Sequence, residues 1–390
     1  MKKDDMIMKM GIVHILDSVV GMPVLSDCPI DMGSNLCDFL KAHIEKFTES
    51  DDMKVCQFSD ESEVMGLIQN CNAENFVQTS RALCEKLYGI MNSNIDIPAA
   101  DVAVVVFSAE GVDYFGFLKL NYKTSYTHAT KATETGENLN DIILQKAILP
   151  SAGQKLSEAF LVNLSNGEIL LTEKKFEVNG EKKLYFSELF LECHAPMSQK
   201  TKLDIVTKAV EQVNKKYYGD EDTRRKMEVK QAIYDELEEK GSLEVEAVKE
   251  KVFKDSPQMQ ADLEEKLEKY NMEKEVVRPK SEATIKKFQK QHLTTDTGIE
   301  ITIPMEEYKD PEKVEFHKSR RDDFRADQKY RAFEHQIKNA LISTFQRESF
   351  YAFVPKKDHN KACSGLEKRF KSSMIKKKGK MEESLLWQEK

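Results

Sequence analysis

Two hydrophobic periods alternate through the first half of the chain. Residues 8–15, MKMGIVHI, are apolar enough for a strand, and Pro23–Asp27, PVLSD, is placed to pair with it across a glycine-containing turn. Between Asn35 and Phe47 the spacing becomes helical, with Leu36, Phe39, Leu40, Ile44 and Phe47 on one face. MKVCQF predicts a short strand. A long helix is predicted from Glu74, where Phe76, Val77, Leu83, Leu87 and Met91 recur. Strands are then expected in DVAVVVF, YFGFLKLNY, EAFLVNL and KLYFSELFL. EILLTEKKF and EKKLYFSEL flank VNG, a hairpin signal. Mixed periods with short connections predict an α+β fold with a largely antiparallel sheet and helices.

Near Ser198 the character changes, and residues 199–270 become charged, glycine-poor and helix-patterned. Leu203, Ile205, Val206, Ala209, Val210 and Val213 make one amphipathic face, and Asp222–Lys240 carries a second with Ala232, Ile233 and Leu237. Leu243–Val252 and Met259–Leu267 follow, with a break near Pro257. A polar linker over Lys280–Thr297 leads to the strands GIEITIP and KVEF. The expected organisation is an α+β domain over residues 1–197, a helical region over 198–317 ending in a small β element, and a tail over 318–390.

That tail differs from what precedes it. Four arginines occur before residue 318 and six after it, and the single tryptophan, Trp387, is in the tail. Back-translated with ordinary codons, residues 318–338 contain, one base out of frame, the peptide NPDGTISALIKNIGHLNIK followed by a stop. The peptide reads as a turn and a strand that would continue the sheet pairing of EITIP and KVEF. The tail is therefore expected to be a frameshifted, non-native segment without a packed relation to the body. Resequencing of the locus tests this: an intact frame through Lys318 in independent isolates would overturn it.

Charge sharpens the division. The whole chain carries a formal net charge of −8, but residues 1–317 hold 40 basic and 57 acidic residues, a net charge of −17. The basic run Lys376–Lys380 belongs to the tail and is set aside from fold reasoning. The hydrophobic fraction of 40% suits globular folding, and there is no apolar stretch long enough to span a bilayer. The start MKKDDMIMKM lacks the apolar core of a secretory signal. Seven cysteines without a CxxC pair fit reduced thiols in a cytoplasmic protein.

Catalytic, cofactor and metal patterns are missing: there is no GxSxG, Walker loop, GxGxxG or HExxH. His14 and His43 fall among apolar residues and read as hydrogen-bonded core histidines. Cys193 and His194 are adjacent in a predicted strand and so point to opposite faces. Clustered cations are the remaining signal. Lys174, Lys175, Lys182 and Lys183 flank the VNG turn, and Lys215 and Lys216 end one helix where Arg224, Arg225 and Lys226 open the next. Lys119 and Lys123 share a strand face with Asn121. Each cluster reads either as a phosphate contact or as a solvated, salt-bridged surface.

In order and spacing the ordered segments resemble the bacterial nucleoid-associated protein family. The residues that carry the resemblance are HILD (His14–Asp17), VLSD (Val24–Asp27), FLKAHIEK (Phe39–Lys46), ADVAVVVF, FLKLNYK (Phe117–Lys123) and ILPSAGQKLSEAFLVNL. They continue through Glu173-Lys174, KLYFSELFLEC (Lys183–Cys193) and GIEITIP. The resemblance implies a cytoplasmic, nucleoid-localised, non-catalytic protein that binds double-stranded DNA, and it implies no base-reading motif. The lysine and arginine clusters above would then contact phosphates. An acidic body is repelled by DNA at long range, so the alternative is an acidic interaction module brought to the nucleoid by a protein partner; an enzyme without a legible motif is a third reading.

Overall fold

Ala100–Ala109 is apolar at nearly every position, and a strand built from it needs cover on both faces. The structure, a computed structural model, supplies that cover; it describes residues 1–17, 21–132, 136–219, 223–294 and 300–308. The expectations for KVEF and for residues 318–390 concern residues outside those described.

The first part builds one large antiparallel sheet. Its elements in chain order are β1 (Met6–Leu16), α1 (Ser34–Thr48), β2 (Lys54–Phe58), α2 (Glu63–Gln69), α3 (Phe76–Asn92), β3 (Ala100–Ala109) and β4 (Val112–Asn121). Then come β5 (Lys123–Ala132), β6 (Asn138–Ile148), β7 (Glu158–Asn163), β8 (Ile169–Thr172), β9 (Phe176–Val178), β10 (Glu181–Lys183) and β11 (Cys193–His194). Seven strands join in the order β1-β3-β4-β7-β8-β2-β11. The two central faces alternate as the pleat requires. Val102, Val104, Phe117 and Phe160 share one core with Leu83, Leu87 and Met91 of α3. Ala103, Val105, Phe107 and Leu118 share another with Leu40, Ile44 and Phe47 of α1. Gly116 on β4 faces Val105 and Leu161 so closely that a Cβ there would lie 2.8 Å from a Val105 methyl carbon. The segment Pro23–Asp27 forms no full strand against β1: it makes one bridge between Ile15 and Val24, and Ser26 bonds His14 and the Val13 carbonyl.

Three expectations are corrected. KLYFSELFL is not a strand. Residues Phe186–Leu191 form one widened helical turn, which buries Phe186, Phe190 and Leu191 under the sheet. EILLTEKKF is not half of the VNG hairpin: Ile169–Thr172 pairs with β7 and β2, and only β9 and β10 form the hairpin. The strands β5 and β6, unforeseen in the sequence, pair with each other and with no other strand among the described residues.

The helical part follows as α4 (Gln199–Tyr218), α5 (Thr223–Lys240), β12 (Leu243–Glu244), α6 (Val245–Val252) and α7 (Pro257–Glu268). It has its own core, with Leu203, Val206, Val210 and Val213 against Ile233, Leu237, Val248 and Leu263. Ser198 caps α4 by accepting the Thr201 N–H, and Ser256 caps α7, with Pro257 at its first position. Pro257 therefore starts a helix as much as it ends one. After β13 (Val276–Val277), the predicted linker holds α8 (Glu282–Lys286) and β14 (Lys290–Thr294), which pairs with β15 (Glu300–Pro304) ahead of α9 (Met305–Tyr308).

The described residues belong to one unit, Met1–Phe316. Asp51 ties its parts together. Its buried carboxylate accepts the backbone N–H of Lys280 (2.6 Å) and Ser281 (3.2 Å), and its carbonyl accepts that of Lys200 (3.0 Å).

Candidate nucleic-acid interface

The hairpin lysines stand on a rigid base. Asn179 and Gly180 both have positive φ, the geometry a two-residue hairpin turn demands, so the NG pair fixes the tip. Lys182 lies opposite Glu177 and Lys183 opposite Phe176. Lys174, Lys175 and Lys182 are exposed; Lys183 is half-buried and pairs with Glu181 at 3.0 Å. Lys174 also sits 6.0 Å from the Phe176 ring centre. With Glu177 and Glu181 counted, residues 174–183 carry a net charge of +2.

Beneath this tip lies a buried polar network that the sequence reading missed. Phe176 packs edge-on against Tyr185 at 5.9 Å, and the Tyr185 hydroxyl donates to Glu158 Oε1. Glu158 Oε2 accepts from Lys119 Nζ at 2.7 Å and from Asn121 Nδ2 at 3.2 Å, and Lys119 also donates to Asn121 Oδ1 at 2.8 Å. Lys119 and Glu158 are direct cross-strand neighbours, fully buried. Burial pulls the Lys119 ammonium below its ordinary range, opposed by the Glu158 charge. Burial, followed by that same carboxylate, pushes the Tyr185 phenol up. Glu173 repeats the arrangement: its buried carboxylate takes Lys54 Nζ at 2.7 Å and the Ser187 N–H at 3.0 Å. Of the pair Glu173-Lys174, the acid is thus an anchor of the fold and the lysine faces water. Lys119 is no surface cation, so its pairing with Lys123 as a phosphate contact is corrected; Lys123 is exposed and donates to Gln154 at 2.5 Å.

The helix corner is more fully occupied. Lys216 pairs with Asp262 at 2.5 Å, a bond that raises its pKa, and lies 5.3 Å from the Tyr217 ring centre. Arg225 pairs with Glu228 at 2.8 Å and stacks over Tyr218 at 4.8 Å. Those contacts account for an arginine at a helix N-terminus, where the helix dipole disfavours it. Lys215 and Lys226 are exposed and also engaged, and the Arg224 side chain is not among those described. Among the described residues no hydrogen bond or ion pair joins the corner to the hairpin.

A third cationic group gathers from distant segments. Lys155 and Lys200 both pair with Asp52, and Lys200 does so at 3.4 Å. Burial and then the positive charge of Lys200, with further contributions from Lys287 and Lys46, bring Lys155 down to about 8. Its members come from α1, the segment before β7, the first turn of α4 and the end of α8, so no linear cluster announces it.

The histidines are structural. His14 is buried; its Nδ1 accepts the Ser26 N–H at 3.1 Å, which leaves Nε2 to donate to Ser80 Oγ at 3.0 Å. His43 is also buried and bonds the Gln154 carbonyl at 2.8 Å. Cys193 is buried and His194 exposed, on opposite faces of β11. The six described cysteines are free. Among the described residues no helix is long and apolar enough to cross a membrane.

The protein family described as nucleoid-associated protein YejK matches residues 12–327. No curated protein matches the chain.

Proposed function

The chain belongs to the nucleoid-associated protein YejK family, and from this nucleoid role we propose that it binds double-stranded DNA, without catalysis and with weak sequence preference. The observation that carries the reading is the β9–β10 hairpin. Three exposed lysines, Lys174, Lys175 and Lys182, project from a turn whose base is pinned to the core by Phe176 and Val178. A ribbon whose exposed side chains are chiefly ammonium groups holds phosphates and leaves sequence largely unread. Lys183 and the corner residues Lys215, Lys216, Arg224, Arg225 and Lys226 are assigned to the same phosphate track. The hairpin takes the leading part because Lys216 and Arg225 already hold acidic partners.

Phosphate contacts release counterions, so this binding depends strongly on salt even though the body is acidic. Four phosphate contacts give a slope of about −3.6 in log affinity against log salt, a loss of roughly 150-fold between about 50 and 200 mM. Fluorescence anisotropy of the full chain on unrelated duplexes tests the proposal. The triple change Lys174→Glu, Lys175→Glu, Lys182→Glu is expected to weaken binding on every duplex and to reduce the slope by about one per lysine. Unchanged affinity after reversal of both the hairpin and the corner would refute the assignment. The net charge of −17 on residues 1–317 favours a second reading, an acidic module recruited by a protein partner. No binding of the chain even at low salt would decide for it.

A further inference from the structure

The fold brings together two cysteines that the sequence keeps apart. Cys56 lies on β2 and Cys193 on β11, 137 residues later, and their sulfurs approach to 3.9 Å. The register explains the approach. Cys193 lies directly opposite Phe58, and Cys56 is two residues back from Phe58 on the same pleat face, so the thiols are diagonal neighbours across the strand pair. They are 6% and 8% exposed, in the core shared with Tyr185 and Phe190. Among the described residues no other two cysteines share such a contact. The strand that carries Cys193 is two residues long and outermost in the sheet, and the chain runs on from it into α4. An edge that short yields easily, and a disulfide needs about 2 Å of further approach.

We propose that Cys56 and Cys193 form a redox-modification site, where a hydroperoxide turns the two thiols into a disulfide that fastens β11 to β2. A cleft of about 440 Å³, lined by Phe58, Ile68, Cys71 and Val162, comes within one side chain of Cys56, because Phe58 is the next residue on its face. Cys193 donates in the contact between the sulfurs. That bond lowers the Cys56 pKa, burial and the Glu173 carboxylate oppose it, and Lys54 assists. The same bond, with burial, raises the Cys193 pKa. Cys56 is therefore the attacking sulfur. Its thiolate takes the outer oxygen of the hydroperoxide, the O–O bond breaks, and the alkoxide or hydroxide leaves with the proton the thiol gave up. Cys56 is now a sulfenic acid. The Cys193 sulfur attacks it, the S–S bond forms as the S–O bond breaks, and the hydroxyl departs with the Cys193 proton as water. Two thiols lose two electrons to one hydroperoxide, and exchange with a reducing thiol reverses the change.

An equivalent of hydrogen peroxide added to the reduced full chain tests the site. Alkylation after denaturation is expected to find five thiols where the reduced chain has seven, with the tryptic peptides 55–81 and 184–200 joined. The first of these also holds Cys71, so fragmentation of the joined pair is expected to place the bond on Cys56, and Cys71→Ser to retain it. Cys193→Ser is expected to stop at the Cys56 sulfenic acid, which dimedone traps, and Cys56→Ser to give neither the trapped acid nor the bond. The map of the unaltered chain stands by itself if either variant folds poorly. The Ser59 amide donates to the Glu192 carbonyl beside Cys193 at 3.1 Å. Its hydrogen is expected to exchange more slowly in the oxidised chain and to regain its former rate with dithiothreitol. A joined pair that omits either cysteine, a bond that forms only in the urea-unfolded chain, or oxidation of the exposed Cys28 alone would overturn the proposal. An unchanged Ser59 rate would overturn the fastening of β11.

Discussion

Lys119→Met removes an ammonium from a place where nothing can replace it. The change keeps the length of the side chain and so isolates charge from cavity formation. Glu158 then remains fully buried with only two neutral donors, the Tyr185 hydroxyl and the Asn121 amide. Leaving one charge of a buried pair uncompensated costs about 3–5 kcal/mol, a large part of the roughly 5–15 kcal/mol that holds a folded domain together. Replacing both charges, Lys119→Met with Glu158→Gln, removes the orphaned carboxylate and keeps an acceptor for Tyr185; the double variant should lie within about 1–2 kcal/mol of wild type. Glu158→Gln alone orphans the buried ammonium in turn, so the double costs much less than the sum of the two singles and the double-mutant cycle gives a coupling of several kcal/mol. Urea unfolding followed by far-UV circular dichroism measures it. With a slope of about 3 kcal/mol/M, the single variant should unfold roughly 1–1.5 M earlier. A single variant costing under about 1 kcal/mol, or a double variant costing the sum of the singles, would refute the reasoning.

Two further changes test the sheet. Burial, then the Arg81 charge, brings His14 down to about 4. Its folded pKa is thus below the unfolded value of about 6.5, so the unfolded chain takes up a proton that the folded chain refuses. The stability this contributes is present above about 6.5 and is lost as pH falls toward 4; His14→Gln should flatten that part of the stability profile, and an unchanged slope would exclude His14 as its source. Gly116→Ala places a Cβ 2.8 Å from a Val105 methyl carbon and 3.0 Å from one of Leu161, so it should cost about 1–3 kcal/mol in urea unfolding; a neutral outcome would mean that β3 and β7 give way there.

How far the sequence could be read depended on where each residue's partner lay. Helix α1 is legible because its core residues repeat within one element, and β3 because an apolar run over the six residues Val102–Phe107 has few other uses. The NG turn declares itself through backbone geometry alone. The segment Lys183–Leu191 misled because its aromatic residues suit a strand, yet Phe186 and Phe190 stand four apart and close a helical turn. In sequence Lys119 reads as a surface cation, because lysine usually is one. Its carboxylate lies 39 residues away on another strand, and only pairing reveals it. The β5–β6 ribbon was invisible for the opposite reason: nearly every residue in it is exposed, so its threonines, lysines and asparagines form no pattern against a core. The group around Lys155 is assembled from four segments and leaves no linear trace.

Asp51 also sets an order of events. The amide groups that its carboxylate receives come 229 and 230 residues later in the chain. At about 5–20 residues per second, roughly 10–45 s pass on the ribosome between the emergence of Asp51 and that of Lys280. During that interval the acid must remain hydrated at the end of α1 while the sheet forms around it. Docking of the α8 segment is then a late step. A nascent chain stalled before Lys280 should present a completed sheet whose Asp51 carboxylate is still open to water, and to whatever chaperone waits there.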